Sequence, residues 1–133
     1  MKVVLDTNVL HDKEFLKWLK KSPHEPILSA VAYTEYLYHH AKKRGSYEEG
    51  KAYVDAFLNV LGIRVYPFDD ECAKIVVKNA LGRWDFSKNA RDYMIGALAV
   101  KLNAPLITNN KKDFEWYSKV YTPNEFMKLM KDK

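Results

Sequence analysis

The chain has 133 residues, 47% of them hydrophobic and 29% charged, which predicts a single globular domain over residues 1–133 and excludes disordered or fibrous classes. No apolar run is long enough for a membrane-spanning helix. The N-terminus enters a strand-like run with no signal-peptide pattern, and the lone Cys72 cannot close an internal disulfide, so the expected setting is the cytoplasm, with no membrane partner. The net charge of +5 and pI of about 9.2 suit a polyanion such as nucleic acid, with basic clusters at Lys42-Lys43-Arg44 and Lys111-Lys112; a solvated Lys-rich surface is the alternative.

The apolar, β-branched run at 2–5 predicts a short buried strand. Phe15, Leu16 and Leu19 at helical spacing predict a helix over 13–21, broken by Ser22-Pro23. Ile27-Leu28 reads as a second strand. Ser29 then caps a helix bearing Val31, Thr34, Leu37 and Tyr38, which ends at Gly45. Ser46 and Glu49 have capping-box spacing and start a helix carrying Tyr53, Ala56, Phe57, Val60 and Leu61, which stops at Gly62.

Alternation over 63–66 predicts a third strand, ended by Pro67. Asp69 or Asp70 caps the next helix, which runs to about Gly82. Residues 83–90 read as a polar loop containing Trp84 and Phe86, followed by a helix over 91–103. Residues 105–108 predict a strand, 111–116 a short helix and 120–121 a last strand. Thr122-Pro123-Asn124-Glu125 is a second capping box, opening a helix through about Met130. Strands alternating with helices predict an α/β fold with a mostly parallel sheet covered on both faces, whose site lies beyond the carboxyl ends of the strands.

Four acids stand out against that frame. Asp6 ends the first strand, Glu35 sits within the helix capped by Ser29, Asp92 opens the helix over 91–103, and Asp113 follows the strand over 105–108. Each has an ordinary explanation alone: Asp6 in a turn, Glu35 at an exposed helical position, Asp92 favoured by the helix dipole, Asp113 capping a short helix. Convergence in one cleft would make a carboxylate cluster suited to a hard divalent cation and to hydrolysis of a phosphodiester.

The set Asp6-Thr7-Asn8, Thr34-Glu35, Asp92-x-x-Ile95-Gly96-Ala97-x-Ala99 and Thr108-Asn109-Asn110-x-x-Asp113-Phe114 resembles the PIN-domain ribonucleases, in particular the VapC-type toxins, over nearly the whole chain. The resemblance implies a three-layer α/β/α sandwich with a central, mostly parallel sheet. It implies Mg²⁺ or Mn²⁺ held by Asp6, Glu35, Asp92 and the last acidic position. It also implies endonucleolytic cleavage of RNA, a homodimer, and a protein antitoxin that blocks the site. Many such proteins carry an acid at the position of Asn110, and others pair an Asn there with an Asp three residues on. This chain has the second pattern, so Asn110 could offer a carbonyl oxygen and Asp113 the charge, and the choice between them is open.

Around this set, Thr7 and Thr108 are candidates to hydrogen-bond an acid or orient a water, and Asn8 to tie the first loop to neighbouring backbone. Arg91 is a candidate phosphate ligand, or else faces solvent; Lys111 and Lys112 are further candidates for RNA binding. His39 and His40, adjacent on a helix, point in different directions and make a poor zinc pair. Tyr36, Tyr38, Trp84 and Phe86 could stack on bases, but residues of this kind more often form core or interface. No Gly-rich phosphate loop or nucleophilic Ser elbow is present. The competing readings are a PIN nuclease in housekeeping RNA processing and a non-catalytic RNA-binding domain on the same fold. A receiver-type phosphotransfer domain does not match the motif order.

Overall fold

The computed structural model describes residues 1–132. Five strands form one sheet in the order β3-β2-β1-β4-β5, and every neighbouring pair is parallel. They are Lys2–Leu5 (β1), Glu25–Ser29 (β2), Arg64–Tyr66 (β3), Leu106–Ile107 (β4) and Val120–Tyr121 (β5). The helices are Lys13–Lys21 (α1), Ala30–Arg44 (α2), Tyr47–Leu61 (α3), Asp70–Ala80 (α4), Phe86–Leu102 (α5) and Pro123–Lys131 (α6). The expected α/β sandwich is therefore met, with a sheet that is wholly parallel.

Chain order explains the layers. From β1 the chain steps outward to β2 and β3, then returns across the sheet to β4 and β5. Right-handed crossovers in opposite directions put α1 to α3 on one face and α4 and α5 on the other. Strands covered on both faces need continuous apolar runs, and Val3, Val4, Leu5, Ile27, Leu28, Leu106 and Ile107 are fully buried. Because direction reverses between β1 and β4, a crevice opens beyond their carboxyl ends, where open α/β sheets bind ligands.

Most boundaries fall where the sequence puts them, and four features differ. Thr7–His11 forms a 3-10 turn, which the short polar Asp6-Thr7-Asn8 segment does not announce. The segment expected as a loop over 83–90 is partly helical: α5 begins at Phe86 and bends at Asn89 (φ −117°, ψ 22°). Asp85 holds this start, accepting from Asn89 Nδ2 at 3.0 Å and Tyr93 Oη at 2.9 Å. The short helix expected over 111–116 is a 3-10 turn at Lys111–Phe114. Ser46 caps α3 by accepting from Glu49 N at 3.2 Å, but its own N–H donates to Ala41 O at 3.1 Å, so the reciprocal half of the box is replaced by the α2–α3 turn. At Thr122 both halves form, at 3.1 and 2.9 Å. Among the described residues no helix is long and apolar enough to cross a membrane.

Candidate metal centre

The ladder fixes the centre of the site. Asp6 N donates to Ile107 O at 2.9 Å, so the residue after β1 is pinned beside the end of β4. Its side chain, 1% exposed, is bonded on all sides. Oδ1 accepts from Thr7 N at 2.7 Å and from Arg91 Nη2 at 2.8 Å. Oδ2 accepts from Thr108 Oγ1 at 2.8 Å and from Asn8 Nδ2 at 3.3 Å. A buried carboxylate with four donors is held in one orientation, its charge matched by hydrogen bonds and a guanidinium.

Glu35, on the second turn of α2, comes to the same place. Its Oε1 accepts from Thr7 Oγ1 at 2.9 Å and its Oε2 from Arg91 Nε. Asp92 lies on α5, buried, with Oδ1 accepting from Arg91 Nη1. Burial pushes the Asp92 carboxyl above the usual range; the charges of Asp113 and Asp6 push the same way, and Arg91 opposes them. Burial disfavours the Arg91 charge, but its bond to Glu35 and the charges of Asp6 and Glu35 outweigh that and raise its pKa. Three carboxylates from three separate elements thus converge on one positive group.

Thr7 bonds Glu35 and Thr108 bonds Asp6, and Asn8 ties the two loops, its Oδ1 accepting from Asn109 N at 3.2 Å. Thr108 has a second role, its Oγ1 also accepting from Asn110 N at 3.0 Å. The Asn110 side chain is exposed and bonds none of the acids among the described residues, whereas Asp113 is half-buried and close enough for its charge to act on Asp92. Arg91, a candidate for phosphate, has Nε, Nη1 and Nη2 all engaged with carboxylates. Lys111 is exposed and paired with Glu125 at 3.1 Å, and Lys112 is exposed. His40 is buried with its Nδ1 2.6 Å from Arg44 Nη1, and His11 and His39 sit edge to face; none bonds a site carboxylate among the described residues. The central position of Arg91 escapes sequence reading, its one local signal being adjacency to Asp92.

The donor set suits a hard divalent cation, being all oxygen, anionic and convergent. Among the described residues, however, no three acidic, His or Cys side chains stand close enough to ligate one ion as they are; the carboxylates are arranged around a guanidinium.

The PIN domain family model matches residues 3–120. The chain belongs to the PIN-domain family. Solved structures agree on the fold. VapBC-1 from nontypeable Haemophilus influenzae matches with a TM-score of 0.73 at 19% identity, covering 93% of this chain and 99% of that one. A toxin–antitoxin complex from Klebsiella pneumoniae gives 0.68 at 24%, covering 91% and 97%. FitAcB from Neisseria gonorrhoeae gives 0.64 at 21%, with the same coverage. None of the curated proteins compared with the chain matches it. In this PIN domain Asp6, Glu35 and Asp92 gather around Arg91 beyond the carboxyl end of β1.

Proposed function

We propose that this PIN domain is a divalent-metal-dependent endoribonuclease, the toxin of a toxin–antitoxin pair. One observation carries the reading. Asp6, Glu35 and Asp92, from the end of β1, from α2 and from α5, turn carboxylate oxygens toward a single cationic centre. A binding-only domain has little need to hold like charges together at this cost.

Asp6, Glu35, Asp92 and Asp113 would hold Mg²⁺ or Mn²⁺, which supplies Lewis-acid activation of water and neutralises charge on the phosphoryl oxygens. Asp113 is preferred over Asn110 because its charge already acts on the cluster. Thr108 and Asn8 fix the Asp6 carboxylate, Thr7 fixes Glu35, and these bonds orient the acids before substrate arrives. Lys111 and Lys112, on the loop after β4, would hold the RNA backbone by charge alone, with Arg91 as a third phosphate ligand.

The partner is proposed on two supports: the fold, and the Klebsiella neighbour, whose structure is a toxin–antitoxin complex. A homodimer is proposed through α2 and α3, where Tyr38, Tyr47, Tyr53 and Val60 are exposed. Sedimentation should give a dimer at micromolar concentration; a monomer there would count against it. The cytoplasmic RNA pool is the proposed substrate.

Cleavage of a mixed set of labelled RNAs with Mg²⁺, Mn²⁺ or EDTA tests the reading, alongside Asp6→Asn and Asp92→Asn. Metal-dependent cutting that requires both acids is expected. Full activity in a folded Asp6→Asn protein would refute the assignment, and metal-independent RNA binding without cleavage would favour the binding module.

A further inference from the structure

Arg91 occupies the place where the proposed chemistry needs a metal ion. Its Nε donates to Glu35 Oε2, its Nη1 to Asp92 Oδ1, and its Nη2 to Asp6 Oδ1 at 2.8 Å and to Thr7 Oγ1 at 3.4 Å. The other oxygens of two of these acids are already taken: Asp6 Oδ2 by Thr108 and Asn8, and Glu35 Oε1 by Thr7. The oxygens that face the centre are the ones that Arg91 holds.

We infer that Arg91 is a built-in counter-cation of the metal-free site, that a divalent ion must displace it to load the site, and that the displaced guanidinium then serves a phosphate of the substrate. This rests on the metal-dependent nuclease reading above. Without a central cation, three carboxylates, two of them buried, would repel one another or take up protons. A guanidinium can relieve that, because its planar fork serves several oxygens at once and keeps its charge at any working pH. A divalent ion carries twice the charge in a compact volume, so it can take over the same oxygens. The guanidinium it releases has a geometry that suits phosphate as well as it suits carboxylate. One side chain thereby stabilises the empty site and answers the arrival of metal by offering a phosphate ligand beside it.

The test measures binding rather than turnover. Mn²⁺ titration by calorimetry, and thermal melting in EDTA, would be run on the full chain and on Arg91→Gln. The variant should melt below wild type in EDTA, bind Mn²⁺ about tenfold more tightly or better, and recover its melting temperature when the ion is added. If wild type binds Mn²⁺ and Arg91→Gln binds it equally or more weakly, the inference is overturned and the nuclease reading stands. If neither folded protein binds Mn²⁺, both fall. Should Arg91→Gln fail to fold, wild type still decides the matter by nitrogen-15 NMR of its four arginine side chains. The Arg91 Nε–H should be protected in EDTA by its bond to Glu35 and lose that protection as Mg²⁺ saturates the protein. An Arg91 signal unchanged at saturation overturns the inference.

Discussion

The two ends of α5 each hold a cation among acids, on different terms. At the start, Arg91 lies between Asp6, Glu35 and Asp92, two of them buried and brought together from three elements. At the end, Lys101 pairs with Asp69, the N-cap of α4, and, at 3.6 Å, with Glu71 on its first turn. The second group has no buried member, so losing one leaves no charge stranded away from water. In the first, losing a member leaves buried charge unpaired. At Asp92 burial and the charges of Asp113 and Asp6 act against ionisation, an arrangement that proteins tolerate where function requires it.

Asp6→Asn breaks the costly end most completely. It keeps the shape of the side chain, and the folded protein should lose metal-dependent cleavage while its circular dichroism is unchanged. Thr108→Val acts on the same carboxylate from behind. It removes the 2.8 Å bond to Asp6 Oδ2 and the acceptor for Asn110 N from a fully buried position. Stranding these groups should cost about 1–3 kcal/mol in urea unfolding and weaken Mn²⁺ binding about 10–100-fold. Affinity within a factor of two of wild type would mean that Thr108 does not orient Asp6.

The same contrast explains what could be read from the sequence. The Lys101 end is built on local signals: Asp69 caps α4 by accepting from Cys72 N at 2.9 Å, a pattern visible as Asp69 before an apolar-periodic run. The strands and helices were legible for the same reason, since burial on both faces and capping residues leave short-range marks. Asp6, Glu35 and Asp92 stand out as candidates because carboxylates just after a strand or on a helix flanking the sheet's carboxyl edge are chemically conspicuous. The bonds that make them a site do not. Arg91 reaches Asp6 across 85 positions and Glu35 across 56, and Thr108 reaches Asp6 across 102; no local pattern encodes such a meeting. The start of α5 was hidden differently, because Asp85 anchors it through Asn89 and Tyr93 rather than through an ordinary cap bond.

Between its two ends, α5 is constrained by close packing. A Cβ added at Gly96 would fall 2.6 Å from the Trp116 ring, which stacks on Tyr93 with centroids 5.1 Å apart. Gly96→Ala should gain about 1 kcal/mol of helix propensity and lose about 1–3 kcal/mol to overpacking. The expected net result is a modest fall in melting temperature with a shift in tryptophan emission. A stabilised variant with unchanged emission would show that Trp116 moves aside freely.

The smallest effect belongs to the Lys101 end, and pH separates it from the rest. The bond from Lys101, reinforced by Cys72 N, depresses the Asp69 carboxyl from 3.8 to about 2. A depressed folded-state pKa means that the charge stabilises the fold above the unfolded value and that this contribution is lost as pH falls through the folded one. Asp69→Asn keeps a good cap residue and removes only the charge. It should therefore melt slightly below wild type at neutral pH, and the gap should shrink as pH falls from 3.8 toward about 2 or as salt is raised. Because neither Asp69 nor Lys101 bonds Asp6, Glu35, Asp92 or Arg91 among the described residues, Mn²⁺ affinity should not change. A loss of Mn²⁺ binding in Asp69→Asn would show that the two ends of α5 are coupled, and the division between a locally built ion-pair network and the proposed metal site would have to be given up.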